Sequence, residues 1–178
     1  MKTYSSILDD QQIQILKGCI GKNIQIINSP GAELKYGSNY ISSYDNFSIL
    51  LNSDSFLIIK NFWLETEEYN DYWKLTFETS DTPEGLNYNV EDRCFVGPFF
   101  SFNLPRALVI NRIEVHVKSE QIGEEQIQFD YGVIFYLEDE ISLAFFPMES
   151  IADGIEMNLE KDQIKQAIRN CSIRLEIS

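Results

Sequence analysis

The 178-residue sequence predicts an α+β fold, mostly antiparallel β, in which hairpins form a meander and a short helix lies near each terminus. Three observations predict it. Short apolar runs recur along the chain, each bounded by Asn, Asp, Ser, Gly or Pro. Two segments, one near each end, space their apolar residues three or four apart instead of two. One stretch, 79–106, breaks every period and divides the chain into two halves.

Asp9–Lys17 is the first helix: Ile13 and Leu16 are three apart, Asp9 stands at the N-cap and Gly18 just past the end. Gly21-Lys22-Asn23 turns into a strand at Ile24–Ile27, and residues 28–39 read as a loop. Phe47–Leu51 and Phe56–Ile59 form a hairpin across Asn52-Ser53-Asp54-Ser55. Both arms are too apolar for alternation, so both faces are expected to be covered. Asp71–Glu78 alternates cleanly, with Trp73, Leu75 and Phe77 inward.

The 79–106 stretch contains Pro83, Gly85, Gly97, Pro98 and Pro105 and reads as a crossover, with room for a short strand around Cys94–Phe102. Beyond it, Val109–Lys118 alternates, Ile113, Val115 and Val117 facing in and Glu114, His116 and Lys118 facing out. Val133–Leu137 and Ile141–Phe146 form a second hairpin around Glu138-Asp139-Glu140. A strand at Ile155–Leu159, a helix at Glu160–Arg169 and an alternating strand at Ser172–Ile177 close the chain. Lys165 and Arg169 at that helix's end suit its dipole.

The length predicts a single domain, 1–178. Sliding the chain by 85 positions sets Tyr44 on Phe129, Asp45 on Asp130, Ile49 on Ile134 and Asp54 on Asp139. That offset defines an internal pseudo-repeat, 20–78 and 107–146, joined by the crossover. The competing explanation is that any two hairpins share turn acids and apolar arms.

Charge bounds the function. Fourteen basic against 28 acidic residues leave −14, with a pI near 4.4, and both halves share the excess. Such a field repels nucleic acid and anionic membranes, attracts a basic protein and speeds that encounter. It also serves plain solubility. No apolar run is long enough to span a bilayer. Three cysteines without C-x-x-C, and an N-terminus with no apolar signal region, predict a cytoplasmic protein with reduced thiols.

Catalytic signals are sparse. The single histidine, His116, falls on the polar strand face and is expected in solvent. Too few His and Cys are present for a zinc site, no calcium-loop spacing appears, and no phosphate-binding glycine motif occurs. The reading is therefore non-enzymatic, with no cofactor and no metal. Acids cluster at Glu65, Glu67, Glu68 and Asp71, beside Trp63, Tyr69, Tyr72 and Trp73, and again at Glu138, Asp139 and Glu140. Aromatics are enriched at protein interfaces and acids select Lys and Arg across them. Glu65, Glu67, Glu68, Tyr69, Asp71, Tyr72, Glu138, Asp139 and Glu140 are thus the candidate partner-binding residues. Trp73, in phase with Leu75 and Phe77, is assigned to the core.

The apolar stretch Phe129–Pro147, FDYGVIFYLEDEISLAFFP, followed by a strand, a short helix and a last strand, resembles immunity proteins of bacterial polymorphic-toxin loci. The resemblance covers roughly residues 107–178 and rests on pattern. It implies an acidic, cytoplasmic protein that binds and blocks a cognate toxin. With the charge, it gives the expected function: neutralising a basic protein partner, plausibly a nuclease-type toxin, as a monomer or homodimer. The alternatives are a structural or oligomeric subunit, and a small carboxylate-using enzyme or ligand-binding β-domain.

Overall fold

The chain begins with β1 (Lys2–Ser6), α1 (Asp10–Lys17), β2 (Asn23–Ser29), β3 (Ala32–Leu34) and β4 (Tyr40–Ser43). It continues through β5 (Asn46–Leu51), β6 (Ser55–Glu65), β7 (Asp71–Ser80) and a small hairpin, β8 (Tyr88–Asn89) and β9 (Cys94–Phe95). Then come β10 (Phe100–Ile122), β11 (Glu125–Leu137), β12 (Ser142–Pro147), β13 (Ile155–Asn158), α2 (Lys161–Ala167) and β14 (Ser172–Ile177). The structure is a computed structural model and describes residues 1–34, 40–92, 94–149 and 152–178. The fold is mainly antiparallel β. Two α-helices, of 8 and 7 residues, are a minor part of this sheet-rich fold.

β10 organises the molecule. At about 3.3 Å per residue its 23 residues span roughly 75 Å, long enough to serve two sheets. Its first half pairs antiparallel with β2, in a sheet that runs on through β5, β6 and β7. Its second half pairs with β11, and from there the order is β12, β13, β4 and β3. The register breaks between Asn103 and Leu108, around Pro105, which cannot donate a ladder hydrogen bond and is confined to such irregularities. The two sheets fold about this strand and close on one core. Phe47, Ile49, Leu57 and Phe77 from one meet Val115, Phe135, Phe145 and Met157 from the other. Phe145 lies 5.6 Å from Phe47 and 5.9 Å from Phe135 between ring centroids.

Each apolar hairpin has a cover on its second face. Over β5–β6 lies the segment after β7: the Glu84 amide donates to Ser48 Oγ at 3.2 Å, and Tyr88 packs its ring 5.8 Å from Phe56. Over β11–β12 lies α2, whose Ile164 meets Ile134, Ala144 and Phe146. The 79–106 stretch is therefore a lid on one sheet plus the start of β10, more ordered than a crossover.

Several expectations shift in detail. α1 has its Asp9 cap, Oδ1 accepting from the Gln12 amide at 2.9 Å, but Gly18 is right-handed at φ −67° and the left-handed turn falls to Gly21. The 28–39 loop holds β3, and residues 35–39 lie outside the described ones. β6 runs to Glu65, beyond the predicted Ile59, and β11 begins at Glu125 across a two-residue turn, Gly123-Glu124. β1, which sequence period did not reveal, pairs parallel with β11. β14 pairs with the second half of β10. The hairpins of the pseudo-repeat occupy two antiparallel runs, β2-β5-β6-β7 and β10-β11-β12-β13.

Candidate functional site

The acidic–aromatic segment read as one loop is divided by the structure. Glu65 ends β6 and pairs across from Asp71, the first residue of β7. Asp71 Oδ1 accepts the Trp63 Nε1–H at 2.9 Å, so this acid is an internal acceptor. Tyr72 is half-buried among Trp63, Trp73 and Phe129, its ring 6.0 Å from Tyr4. Trp73 is core, as its phase predicted.

Only Glu67, Glu68 and Tyr69 remain on the turn itself. Thr66 and Asn70 exchange hydrogen bonds that close it: Thr66 N–H to Asn70 O at 3.0 Å, and Asn70 N–H to Thr66 Oγ1 at 3.1 Å. Tyr69 sits left-handed at φ 63°, its amide donating to Thr66 O at 3.1 Å, and the residue is 80% exposed. The closed turn therefore displays an exposed aromatic ring directly after two exposed carboxylates.

Glu125, buried beneath the turn, holds it to the other sheet. Asn70 Nδ2 donates to Glu125 Oε2 at 3.0 Å. Burial pushes this carboxyl up, yet hydrogen bonds from Thr66, Asn70, Tyr4 and the Glu68 amide outweigh it and hold it below the usual carboxylate range. Glu67 is ion-paired with Lys2, and its amide donates to Tyr4 Oη at 3.2 Å. The Gly123-Glu124 turn, left-handed at Gly123, lies alongside. Among the described residues, Glu65, Glu68 and Glu124 enter no ion pair. This tip therefore gathers exposed acids around Tyr69. Sequence reading missed its supports, Thr66, Asn70, Tyr4 and Glu125. The alternation on either side of Gly123 was the available signal for the β10–β11 hairpin.

Glu138, Asp139 and Glu140 form a single 3₁₀ turn at the other end of β11. Thirteen residues of strand at about 3.3 Å each put roughly 40 Å between the two acidic clusters, so they do not form one site. Arg106 reaches Glu138 at 3.1 Å and Asp139 at 2.7 Å, and Lys161 reaches Glu140 at 3.4 Å. Asp139 and Glu140 are left-handed, at φ 57° and 59°. A groove of about 540 Å³ opens between this turn and α2, floored by Tyr136 and Leu137 and walled by Ile164 and Ile168.

His116 is not in solvent. It is 3% exposed, and Glu114 beside it 5%. Their strand phase is as predicted, but that face of the sheet is covered. His116 and Glu114 share a hydrogen bond of 3.0 Å, Tyr136 Oη donates to Glu114 Oε2 at 2.8 Å, and Arg112 ion-pairs with Glu114 while lying 3.9 Å over the Tyr136 ring. Burial first, and the Glu114 hydrogen bond second, push the Tyr136 phenol up to about 12. A second internal pair links three elements: Arg174 of β14 holds both oxygens of Asp130, at 2.7 and 2.6 Å, and the Leu8 amide donates to Asp130 Oδ2 at 2.7 Å.

Among the described residues, no group of three or more His, Cys, Asp or Glu is placed to hold a metal ion. No described helix is long and apolar enough to cross a membrane. Compared with protein-family models, curated proteins and solved structures, the chain matches none of them.

Proposed function

We propose that this protein is a non-enzymatic binding protein for a basic protein partner, of the kind that immunity proteins present to a nuclease-type toxin. The reading is carried by one observation: the Thr66–Asn70 turn displays Glu67, Glu68 and Tyr69 together, with Glu65 and Glu124 exposed nearby and, among the described residues, Lys2 as the one cation paired there. An exposed aromatic anchor on an acidic tip suits a Lys- and Arg-rich surface, because the ring supplies desolvated contact area and the acids steer the encounter. The net charge of −14 extends the same attraction over the whole molecule. A nuclease surface is basic because it holds phosphates, so an acidic protein competes for the same groups. Cytoplasmic residence belongs to this proposal.

The test begins with affinity capture from the native extract, followed by association kinetics with the captured protein. Glu65, Glu67 and Glu68 are changed together to Lys, sparing Asp71 because it bonds Trp63. Association should slow, and the difference should shrink as salt rises, since screening removes exposed interactions beyond roughly 8–10 Å. Tyr69→Ala should instead speed dissociation by about tenfold at any salt. Unchanged kinetics in both variants would remove the tip as the interface.

A further inference from the structure

We propose that the cavity where the β4–β5 turn meets β6 takes the ammonium head of a lysine side chain from a protein partner. The pocket is separate from the tip, and only the source of the lysine rests on the reading that a basic protein is bound.

Strand length places the cavity. β5 begins at Asn46, opposite Lys60, so β6 from Asn61 onward has no β5 partner. Asp153, in the loop that leads into β13, fills part of the gap, its Oδ1 accepting the Trp63 N–H at 2.6 Å. What remains is a cavity of about 210 Å³, with Tyr44 and Asp45 of the turn, Asn61 and Phe62 of β6 and Asp153 in its lining.

Asn61 shows that the cavity lacks a donor. The residue is 1% exposed, and its Nδ2 donates to Gly154 O at 2.7 Å. Its Oδ1 is buried as well and has no hydrogen-bond partner among the described residues, a state that folded chains rarely leave uncompensated. Charge decides which donor fits. Three carboxylates line the cavity, Asp45, Glu84 and Asp153, against one cation, Lys60. Lys60 is already held by Glu84 at 2.7 Å and by Glu78, which does not line the cavity, at 3.5 Å. Asp45 and Asp153 enter no ion pair among the described residues. Two uncompensated carboxylates and an amide oxygen therefore select a positive donor. Because these acceptors come from three separate elements, they suit a compact ammonium with three rotatable donors; the planar guanidinium fork matches a single carboxylate instead. A volume below roughly 300 Å³ is too small for most small-molecule ligands and admits the end of one side chain. Tyr44 and Phe62, both exposed, offer apolar surface to the lysine's methylenes.

The test titrates the full chain, followed by NMR, with lysine blocked at both backbone ends and with the same compound acetylated on Nζ. The Asn61 side-chain amide and the backbone amides of Asp45 and Asp153 should shift saturably with the first compound, which should bind at least about tenfold tighter than the second. Asp45→Asn, and Asp153→Asn, which keeps an oxygen for the Trp63 N–H, should each weaken binding about threefold, and less at high salt. Asn61→Ala should erase most of it. Thermal melting checks that this variant folds, and if it does not, the two aspartate variants decide. Equal binding of the two compounds, shifts confined to Thr66–Asn70, or affinity unaltered in both aspartate variants overturns the pocket. With the captured protein, Asp45→Asn should speed dissociation about threefold, and unchanged dissociation overturns a protein lysine as the occupant. Ammonium binding that persists while reversal of Glu65, Glu67 and Glu68 leaves capture kinetics unaltered keeps the pocket and removes the tip. Altered kinetics without ammonium binding keep the tip and remove the pocket.

Discussion

Asp130 is 1% exposed and its two oxygens take three hydrogen bonds, two from Arg174 and one from the Leu8 amide. Replacing Arg174 by Met keeps the stem's packing and removes both guanidinium bonds. Asp130 is then left buried with one amide for a partner. Breaking a buried ion pair on one side costs about 3–5 kcal/mol, because the remaining charge is uncompensated. Arg174 itself is only 22% exposed on its side chain, so the lower screening of a buried pair applies to it too. For a chain of this length about 2–4 °C in Tm follows each kcal/mol, so the loss is roughly 6–20 °C. Adding Asp130→Asn to Arg174→Met should then raise stability above that of Arg174→Met alone, since a neutral amide costs less to bury than a carboxylate. Calorimetry and urea unfolding of the parent, the two single variants and the double variant measure this. A Tm for Arg174→Met within a degree or two of the parent would refute the reasoning, and so would a double variant less stable than Arg174→Met.

His116→Ala should cost about 1–3 kcal/mol in urea unfolding, since it strips a buried hydrogen bond from Glu114; a loss below about half a kcal/mol would return the ring to solvent. Gly132→Ala should destabilise by about 1–3 kcal/mol, because its Cβ would lie 2.5 Å from the Phe146 ring, which is packed under α2 and must shift to admit it. Tyr136 carries its high phenol pKa only when folded, so the folded chain binds that proton more tightly than the unfolded chain, whose tyrosine titrates near 10. Its contribution is whole below about pH 10 and is lost between there and about pH 12. Melting across that window should therefore fall more steeply for the parent than for Tyr136→Phe, and parallel curves would contradict it.

Much of the strand content was legible from period alone. The hairpins at Asn52–Ser55 and Glu138–Glu140, the inward set Trp73, Leu75 and Phe77, and the Asp9 cap of the first helix all depend on neighbours a few residues away. The pattern also showed that Phe47–Leu51 and Phe56–Ile59 needed cover on both faces, without naming it. At the tip, the exposed residues Glu67, Glu68 and Tyr69 could be named from the sequence, since turn chemistry is local. Asp71 and Glu125 could not, because their roles are set by Trp63 and Asn70, which strand pairing brings to them.

What only the tertiary structure decided has one physical origin. Alternation states which residues share a face but not what will cover that face. His116 and Glu114 alternate as exposed residues do, and are buried because Tyr136, from the paired strand β11, closes over Glu114 and α2 packs on the same side of the sheet. The 79–106 stretch has no period because its order comes from docking on β5–β6 and from pairing with β2. By itself the sequence determined the turns, the inward faces and the acidic surface. The continuity of β10 across two sheets, the covers on the hairpins and the separation of the two acidic clusters are set by long-range closure, whose entropy cost is met by burial that no local window contains.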